Sequence, residues 1–148
     1  MLLRPGVDSL WRNASGFEVE KHGTNTAALR LVAPGAAFDV TLAQPLRANV
    51  KHLLAVALRN GTSAGLARVF WAGAGEAFEP VRSAWIPLVQ NDDFLREYHC
   101  AIGLEPGWHG TITHLRIEPV TGMTERGIVV FGTIRLLETP STKNYCHP

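Results

Sequence analysis

The strongest constraint on the fold is an alternation of apolar and polar residues near the C-terminal end, in Ile112–Glu118. One face of this segment carries Thr113, Leu115 and Ile117, and the other carries His114, Arg116 and Glu118. Such a two-residue period is typical of a β-strand with one buried face. A second apolar run, Ile128–Leu137, follows after a turn that contains Gly127. The sequence therefore predicts two consecutive strands, each with a core side and a side that meets water or a ligand.

Short apolar stretches recur along the whole chain and are separated by turn signals rich in Gly, Asn and Pro. The predicted strands are Gly16–Glu20, Ala28–Val32, Ala36–Leu42, His52–Arg59, Leu66–Trp71, Ala84–Val89, Arg96–Ile102, Ile112–Glu118 and Ile128–Leu137. The nearest candidate for a helix, Val50–Leu58, also fits strand alternation and ends in Arg-Asn-Gly. We therefore predict an all-β fold, a two-sheet antiparallel β-sandwich or jelly roll.

The length of 148 residues fits one domain, predicted over residues 1–140, followed by a polar tail at 141–148. Strand alternation predicts one core between the sheets. Its expected members are Leu54, Val56, Leu58, Val69, Leu115, Ile117, Ile128, Val130, Ile134 and Leu136. Trp71 continues the phase of Val69 into this core, and Trp108 is expected to close one end of the sandwich.

The charge balance and the terminal sequence exclude several classes of function. Fourteen Lys and Arg residues face thirteen Asp and Glu, so no overall field attracts nucleic acid or an acidic membrane. No stretch is apolar enough for a signal peptide or a membrane span. The sequence therefore predicts a cytoplasmic protein in which Cys100 and Cys146 are reduced thiols, Cys100 in the core and Cys146 exposed.

From Ala28 to Glu138 the strand order resembles that of galactose-binding-domain-like β-sandwiches of the carbohydrate-binding-module type. The resemblance rests on four segments: Leu54–Asn60, Leu66–Trp71, Arg96–Ile102 and the closing strand pair. It implies a jelly roll that binds a saccharide or glycan without chemistry. The final strand in such modules often carries a carboxylate beside a structural calcium, but Gly132 and Thr133 stand there in this sequence. We predict no cofactor, although Glu18, Glu20 and Glu138 could contribute oxygen ligands to a structural calcium ion.

The candidate ligand-binding residues are aromatic and planar polar side chains on the outward faces of the predicted strands. They are Arg59, Arg68, Phe70, Trp85, His114 and Arg116. Aromatic rings stack on the apolar faces of sugars, and arginine offers a planar set of donors. The same pattern also fits an ordinary solvated sheet face with cross-strand ion pairs. The sequence leaves open whether a ligand would lie on this face or at the loops.

The sequence gives little support for catalysis or metal binding. His109, His114 and Glu118 have a spacing that suggests metal ligands, but His109 precedes the turn and the other two lie in a strand. No nucleophile signature is present. The predicted function is therefore a non-catalytic carbohydrate-binding module. The alternative is a protein-interaction or assembly module, which could form a homodimer, and a small enzyme using His99, His109 or His114 is the least favoured interpretation.

Overall fold

The computed structural model of the chain describes residues 2–3, 17–22, 27–31, 35–121 and 127–139. These residues form ten β-strands: β1 (Leu2–Leu3), β2 (Phe17–His22), β3 (Ala27–Leu31), β4 (Phe38–Arg47), β5 (His52–Asn60), β6 (Leu66–Ala72), β7 (Ser83–Pro87), β8 (Arg96–Cys100), β9 (Thr111–Glu118) and β10 (Ile128–Glu138). Two short 3₁₀ helices, Pro80–Arg82 and Ile102–Leu104, lie in the connections. Within the described ranges no helix has the length and apolar character needed to cross a membrane.

The strands form two antiparallel sheets. One sheet has six strands in the order β2-β3-β10-β5-β8, with β1 also paired to β10, and the other has four strands in the order β4-β9-β6-β7. The predicted all-β two-sheet sandwich is confirmed. Each of the nine predicted strands is found, with ends shifted by a few residues, whereas β1 has no predicted counterpart. The predicted tail at 141–148 and Cys146 lie outside the described residues.

The core lies between the two sheets and joins them through large side chains. Phe38 of β4 meets Phe131 of β10 edge to face, with ring centres 5.0 Å apart. Eight of the ten predicted core residues are buried, namely Leu54, Val56, Leu58, Val69, Leu115, Ile117, Ile134 and Leu136. The prediction is wrong for Ile128 and Val130, which are only half-buried.

A β-bulge in β10 explains this error. The pairing of β10 with β5 shifts register between Phe131 and Ile134, so the strand changes phase there. Before the bulge Val129 and Phe131 are fully buried, and after it the buried residues are again those predicted. Gly132 suits this bend because a Cβ at its position would lie 2.9 Å from the Cβ of Ala57. A prediction that assumes regular alternation along the whole of β10 therefore assigns the wrong residues of its first half to the core.

A second register shift, at the start of β9, changes which residues of that strand point into the core. Between Thr41 and Leu46 the pairing of β4 with β9 is irregular, and on β9 Ile112 is completely buried while Thr113 is half-buried. Leu115 and Ile117 then point into the core as predicted. His114, Arg116 and Glu118 consequently occupy the outward side of the strand.

The phase change in β10 can be tested with two identical substitutions at neighbouring positions. Val129→Ala removes fully buried methyl groups and should lower the free energy of unfolding by about 2 kcal/mol. Val130→Ala, on the half-exposed side, should lower it by less than about 1 kcal/mol. Equilibrium denaturation measures both values. Equal losses, or a larger loss for Val130→Ala, would contradict the bulged register.

Two tryptophans fill one end of the core, as predicted. Trp71 is fully buried and Trp108 is nearly so, and their rings meet edge to face at 5.3 Å. Trp71 Nε1 donates a hydrogen bond to the Gly107 carbonyl at 2.7 Å, and Trp108 Nε1 donates to His52 Nδ1 at 3.1 Å. The prediction that Cys100 is buried is also confirmed. Desolvation raises the pKa of its thiol to about 11, so it stays protonated and weakly reactive.

Candidate functional site

Five of the six predicted ligand-binding residues come together on the outward side of the four-stranded sheet. The strand register places Arg68 of β6 opposite Glu118 of β9 and opposite Trp85 of β7. In the next row Phe70 lies between Arg116 and Ser83, and Arg116 faces Asp39 of β4. His114 lies one row further, between Thr41 and Ala72. We call this surface, defined by Asp39, Arg68, Phe70, Trp85, His114, Arg116 and Glu118, the four-stranded face.

Arg59 does not belong to this face. It lies on β5, where it pairs with Val130 of β10 in the six-stranded sheet. Strand alternation predicts which residues point outward, but it does not tell which of two sheets a strand joins, because that depends on contacts between distant segments. The prediction of Arg59 as a member of the same cluster is therefore wrong.

An arginine fixed against two aromatic rings forms one half of the four-stranded face. The guanidinium carbon of Arg68 lies 4.6 Å from the ring centre of Phe70 and 4.3 Å from that of Trp85, within the range of cation–π attraction. Its Nε and Nη2 both donate to Ser83 Oγ, at 3.0 and 2.9 Å. Phe70 is buried beneath this arrangement, whereas Trp85 remains 50% exposed. The indole ring is thus held by one neighbour and still accessible to solvent.

A second arginine, Arg116, organises the other half. Its Nε and Nη2 donate to the two carboxylate oxygens of Asp39, at 2.7 and 3.0 Å, and its guanidinium carbon lies 4.5 Å from the ring centre of Phe78. The hydrogen bonds to Asp39 raise the pKa of Arg116. This two-point contact fixes the plane of the guanidinium. Nη1 has no hydrogen-bond partner among the described residues, so it remains available as a donor.

Sequence reasoning missed two members of the Arg116 environment. Asp39 lies between the buried residues Phe38 and Val40, so alternation alone could have placed it on an outward side. Its pairing with Arg116, which lies 77 positions later, depends on the adjacency of β4 and β9. Phe78 belongs to the connection between β6 and β7, and no periodic pattern predicts where such a loop residue packs.

The histidines on and near the four-stranded face do not form a metal site. The described ranges contain no group of three or more His, Cys, Asp or Glu side chains able to hold a metal ion. His114 Nδ1 lies 2.6 Å from the hydroxyl of its neighbour Thr113, and His109 lies in an exposed loop position. His99 belongs to the six-stranded sheet, where it contacts Glu97.

The carboxylates suggested as calcium ligands cannot share one ion. Glu18 on β2 pairs with Arg30 on β3, and Arg30 pairs with Ile128 at the start of β10. Glu138 is at the other end of β10, and ten residues of strand span about 30 Å. The suggested grouping of Glu18 and Glu20 with Glu138 is therefore wrong. Glu138 instead accepts a hydrogen bond from Asn49 Nδ2 at 3.3 Å.

No protein-family model and no curated protein sequence matches this chain. Solved structures do match its fold. One is a low-affinity xylan-binding module, CBM86, from Roseburia intestinalis, with a TM-score of 0.60 and 10% sequence identity, covering 94% of this chain and 95% of that one. Another is a family 6 carbohydrate-binding module from Clostridium cellulolyticum in complex with xylose, with a TM-score of 0.59, 13% identity and coverage of 92% and 97%. A family 29 carbohydrate-binding module has a TM-score of 0.59, 10% identity and coverage of 94% and 92%. The predicted resemblance is confirmed at the level of the fold: this chain has the β-sandwich fold of carbohydrate-binding modules.

Proposed function

We propose that the protein is a non-catalytic carbohydrate-binding module that binds a saccharide on its four-stranded face. The observation that carries the proposal is the half-exposed ring of Trp85, held in place by Arg68 on a fold shared with carbohydrate-binding modules. A fixed aromatic ring can stack on the apolar C–H face of a pyranose with little loss of side-chain entropy, because its rotamer is already restricted.

The polar groups around Trp85 suit the hydroxyls of a sugar. Arg116 is held in one plane by Asp39 and keeps Nη1 as a free donor within the described residues, while Glu118 offers carboxylate oxygens as acceptors. Hydroxyl groups both donate and accept hydrogen bonds, so a surface with both kinds of partner can satisfy them. Hydrogen bonds to a sugar replace bonds to water of similar strength. We therefore expect weak binding, in the micromolar to millimolar range.

The non-catalytic part of the proposal rests on how the carboxylates of this face are used. Glycoside hydrolysis needs one carboxylic acid that protonates the leaving group and a second carboxylate placed across the scissile bond. Both carboxylate oxygens of Asp39 accept hydrogen bonds from Arg116, so neither is free to approach a leaving group. Asp39 is therefore a poor candidate for the acid, and Glu118 alone does not supply a pair.

Trp85→Ala tests the proposal. In titration calorimetry against a panel of neutral and acidic oligosaccharides, it should weaken every detectable binding by about tenfold or more, because the stacking surface is lost. Its melting temperature should stay close to that of the parent, since the ring is half-exposed. Phe94→Ala is a matched control, because Phe94 is 67% exposed and its ring also lies near an arginine, Arg96, 5.8 Å away. Parent-like binding by Trp85→Ala, or an equal loss in Phe94→Ala, would contradict the site.

A second candidate function is an assembly module of the same fold. The ion pair between Arg116 and Asp39 is an observation that also fits a solvated or protein-contacting sheet face. In addition, β7, which carries Trp85, is an edge strand of the four-stranded sheet, and edge strands are common sites of association. Light scattering separates the two candidates. A dimer in the parent that becomes a monomer in Trp85→Ala would favour assembly.

A further inference from the structure

Arg68 carries a positive charge that no carboxylate of the described residues neutralises. Its Nε and Nη2 both donate to the hydroxyl oxygen of Ser83, at 3.0 and 2.9 Å, and this hydroxyl donates its own proton to the Pro80 carbonyl at 2.6 Å. Ser83 therefore holds the guanidinium in place without offsetting its charge. The two N–H groups of Nη1 have no partner among the described residues, so they remain available as donors.

The carboxylates of the four-stranded face act on Arg116 instead. Asp39 accepts two hydrogen bonds from Arg116, at 2.7 and 3.0 Å. These bonds, together with the nearby charges of Asp39 and Glu118, raise the pKa of Arg116. Glu118 lies directly across from Arg68 in the strand register, yet no ion pair joins these two described residues. The face thus has one neutralised arginine and one that keeps its charge.

The charge of Arg68 lies beside the exposed aromatic ring of the face. Arg68 is on β6, between Trp85 on β7 and Glu118 on β9, and its guanidinium carbon is 4.3 Å from the ring centre of Trp85. Neighbouring strands are about 4.8 Å apart, so the backbones of β7 and β9 are separated by about 10 Å here. We therefore expect a ligand that contacts Trp85 to lie closer to the guanidinium than to the carboxylate, and Coulomb attraction falls with distance.

On the basis of the proposed saccharide site, we propose that this site prefers acidic sugars and that Arg68 supplies the preference. The pyranose ring of a uronic acid stacks on Trp85, and its carboxylate accepts hydrogen bonds from the free N–H groups of Arg68. Such charge-assisted hydrogen bonds are stronger than those to a neutral hydroxyl, and the guanidinium needs no further ordering to form them. Arg116, whose charge Asp39 already offsets, donates to neutral hydroxyls.

Matched ligands that differ only at C6 test this preference. The probes are methyl β-glucuronide with methyl β-glucoside, and methyl β-galacturonide with methyl β-galactoside, titrated by NMR. The parent should bind each acid more tightly than its neutral counterpart by about fivefold, the effect of one opposite charge about 4 Å away in bulk water. In Arg68→Gln this ratio should fall close to one. A change in the position of Trp85 would affect both members of a pair, so the ratio reports the charge.

Two further variants separate the charge of Arg68 from positive charge in general. Arg68→Lys keeps a charge at this position and should keep a ratio above one. Arg47 is exposed and lies on β4, across from Thr111 at the opposite end of β9. About 23 Å of strand separates Thr111 from Glu118, which exceeds the screening length of about 8 Å at physiological salt. Arg47→Gln removes the same charge as Arg68→Gln and should leave the ratio unchanged.

The possible results distinguish this inference from the proposed function. If the parent binds the acid no more tightly than the neutral sugar, or if Arg68→Gln keeps the ratio of the parent, the role of Arg68 is overturned while saccharide binding stands. Binding of acetate as tight as that of the uronate would also overturn it, because the anion alone would then account for the affinity. The ratio should shrink at 1 M salt, which screens the attraction. If neither pair binds and the oligosaccharide panel also fails, saccharide binding is overturned and this inference with it.

Discussion

Replacing Trp71 by Ala should lower the free energy of unfolding by about 3–5 kcal/mol, the range for truncating a fully buried tryptophan. Trp71 is completely buried, and it packs edge to face on Trp108. Its Nε1 donates to the Gly107 carbonyl, which also accepts from Arg82 Nε at 3.2 Å. The substitution therefore leaves a cavity and removes one of the two donors to the Gly107 carbonyl, which lies in the connection between β8 and β9. Denaturant titration, followed by a probe other than the lost tryptophan's fluorescence, measures the loss.

Trp71→Phe separates the packing of Trp71 from its hydrogen bond. Phe keeps an aromatic ring against Trp108 but lacks the indole N–H, and Arg82 can still satisfy the Gly107 carbonyl. The loss should therefore be smaller than in Trp71→Ala, because much of the buried surface is retained. A loss below about 1 kcal/mol for Trp71→Ala would mean that this end of the core is not packed as described.

The strands could be predicted from the sequence because each strand has its own alternation of apolar and polar residues. Leu115 and Ile117 alternate with Arg116 and Glu118, and the structure places the first two in the core and the others on the outside. Val69 and Trp71 behave in the same way on β6. This two-residue period does not depend on which strand lies beside it, so it can be recognised before the fold is known.

What could not be predicted depends on contacts between distant segments. The bulge at Gly132 becomes visible only when β10 is aligned with β5, and it reverses the assignment of Val129 and Val130. The exclusion of Arg59 from the four-stranded face follows from the sheet that β5 joins. The hydrogen bonds of Arg68 to Ser83 also follow from three-dimensional packing, since Ser83 lies diagonally across from Arg68 on β7, whereas Glu118 lies directly across from it on β9. The candidate site was therefore predictable in its residue types but not in its pairings.

A second large loss of stability is expected from Asn60→Ala. Asn60 is completely buried and connects two loops: its Nδ2 donates to the carbonyls of Ala64 and Val89, at 2.7 and 3.1 Å, and its Oδ1 accepts from the backbone N–H and the hydroxyl of Thr62. Alanine supplies none of these bonds. Because several buried polar groups lose their partner at once, the free energy of unfolding should fall by about 3 kcal/mol or more.

Asn60→Asp provides a sharper test, because it changes one atom and the result depends on pH. Oδ1 can still accept from Thr62, but the second oxygen would face the carbonyls of Ala64 and Val89, which offer no proton. Ionisation in this place is unfavourable, so the pKa of the new carboxyl should be higher in the folded protein than in the unfolded chain. The protonated form, which can donate one hydrogen bond, then favours folding. The stability that this variant lacks at pH 7 should partly return as the pH falls through its folded-state pKa. Comparison with the parent at each pH isolates this effect, and a deficit that stays constant or grows on acidification would contradict the hydrogen-bonding role of Asn60.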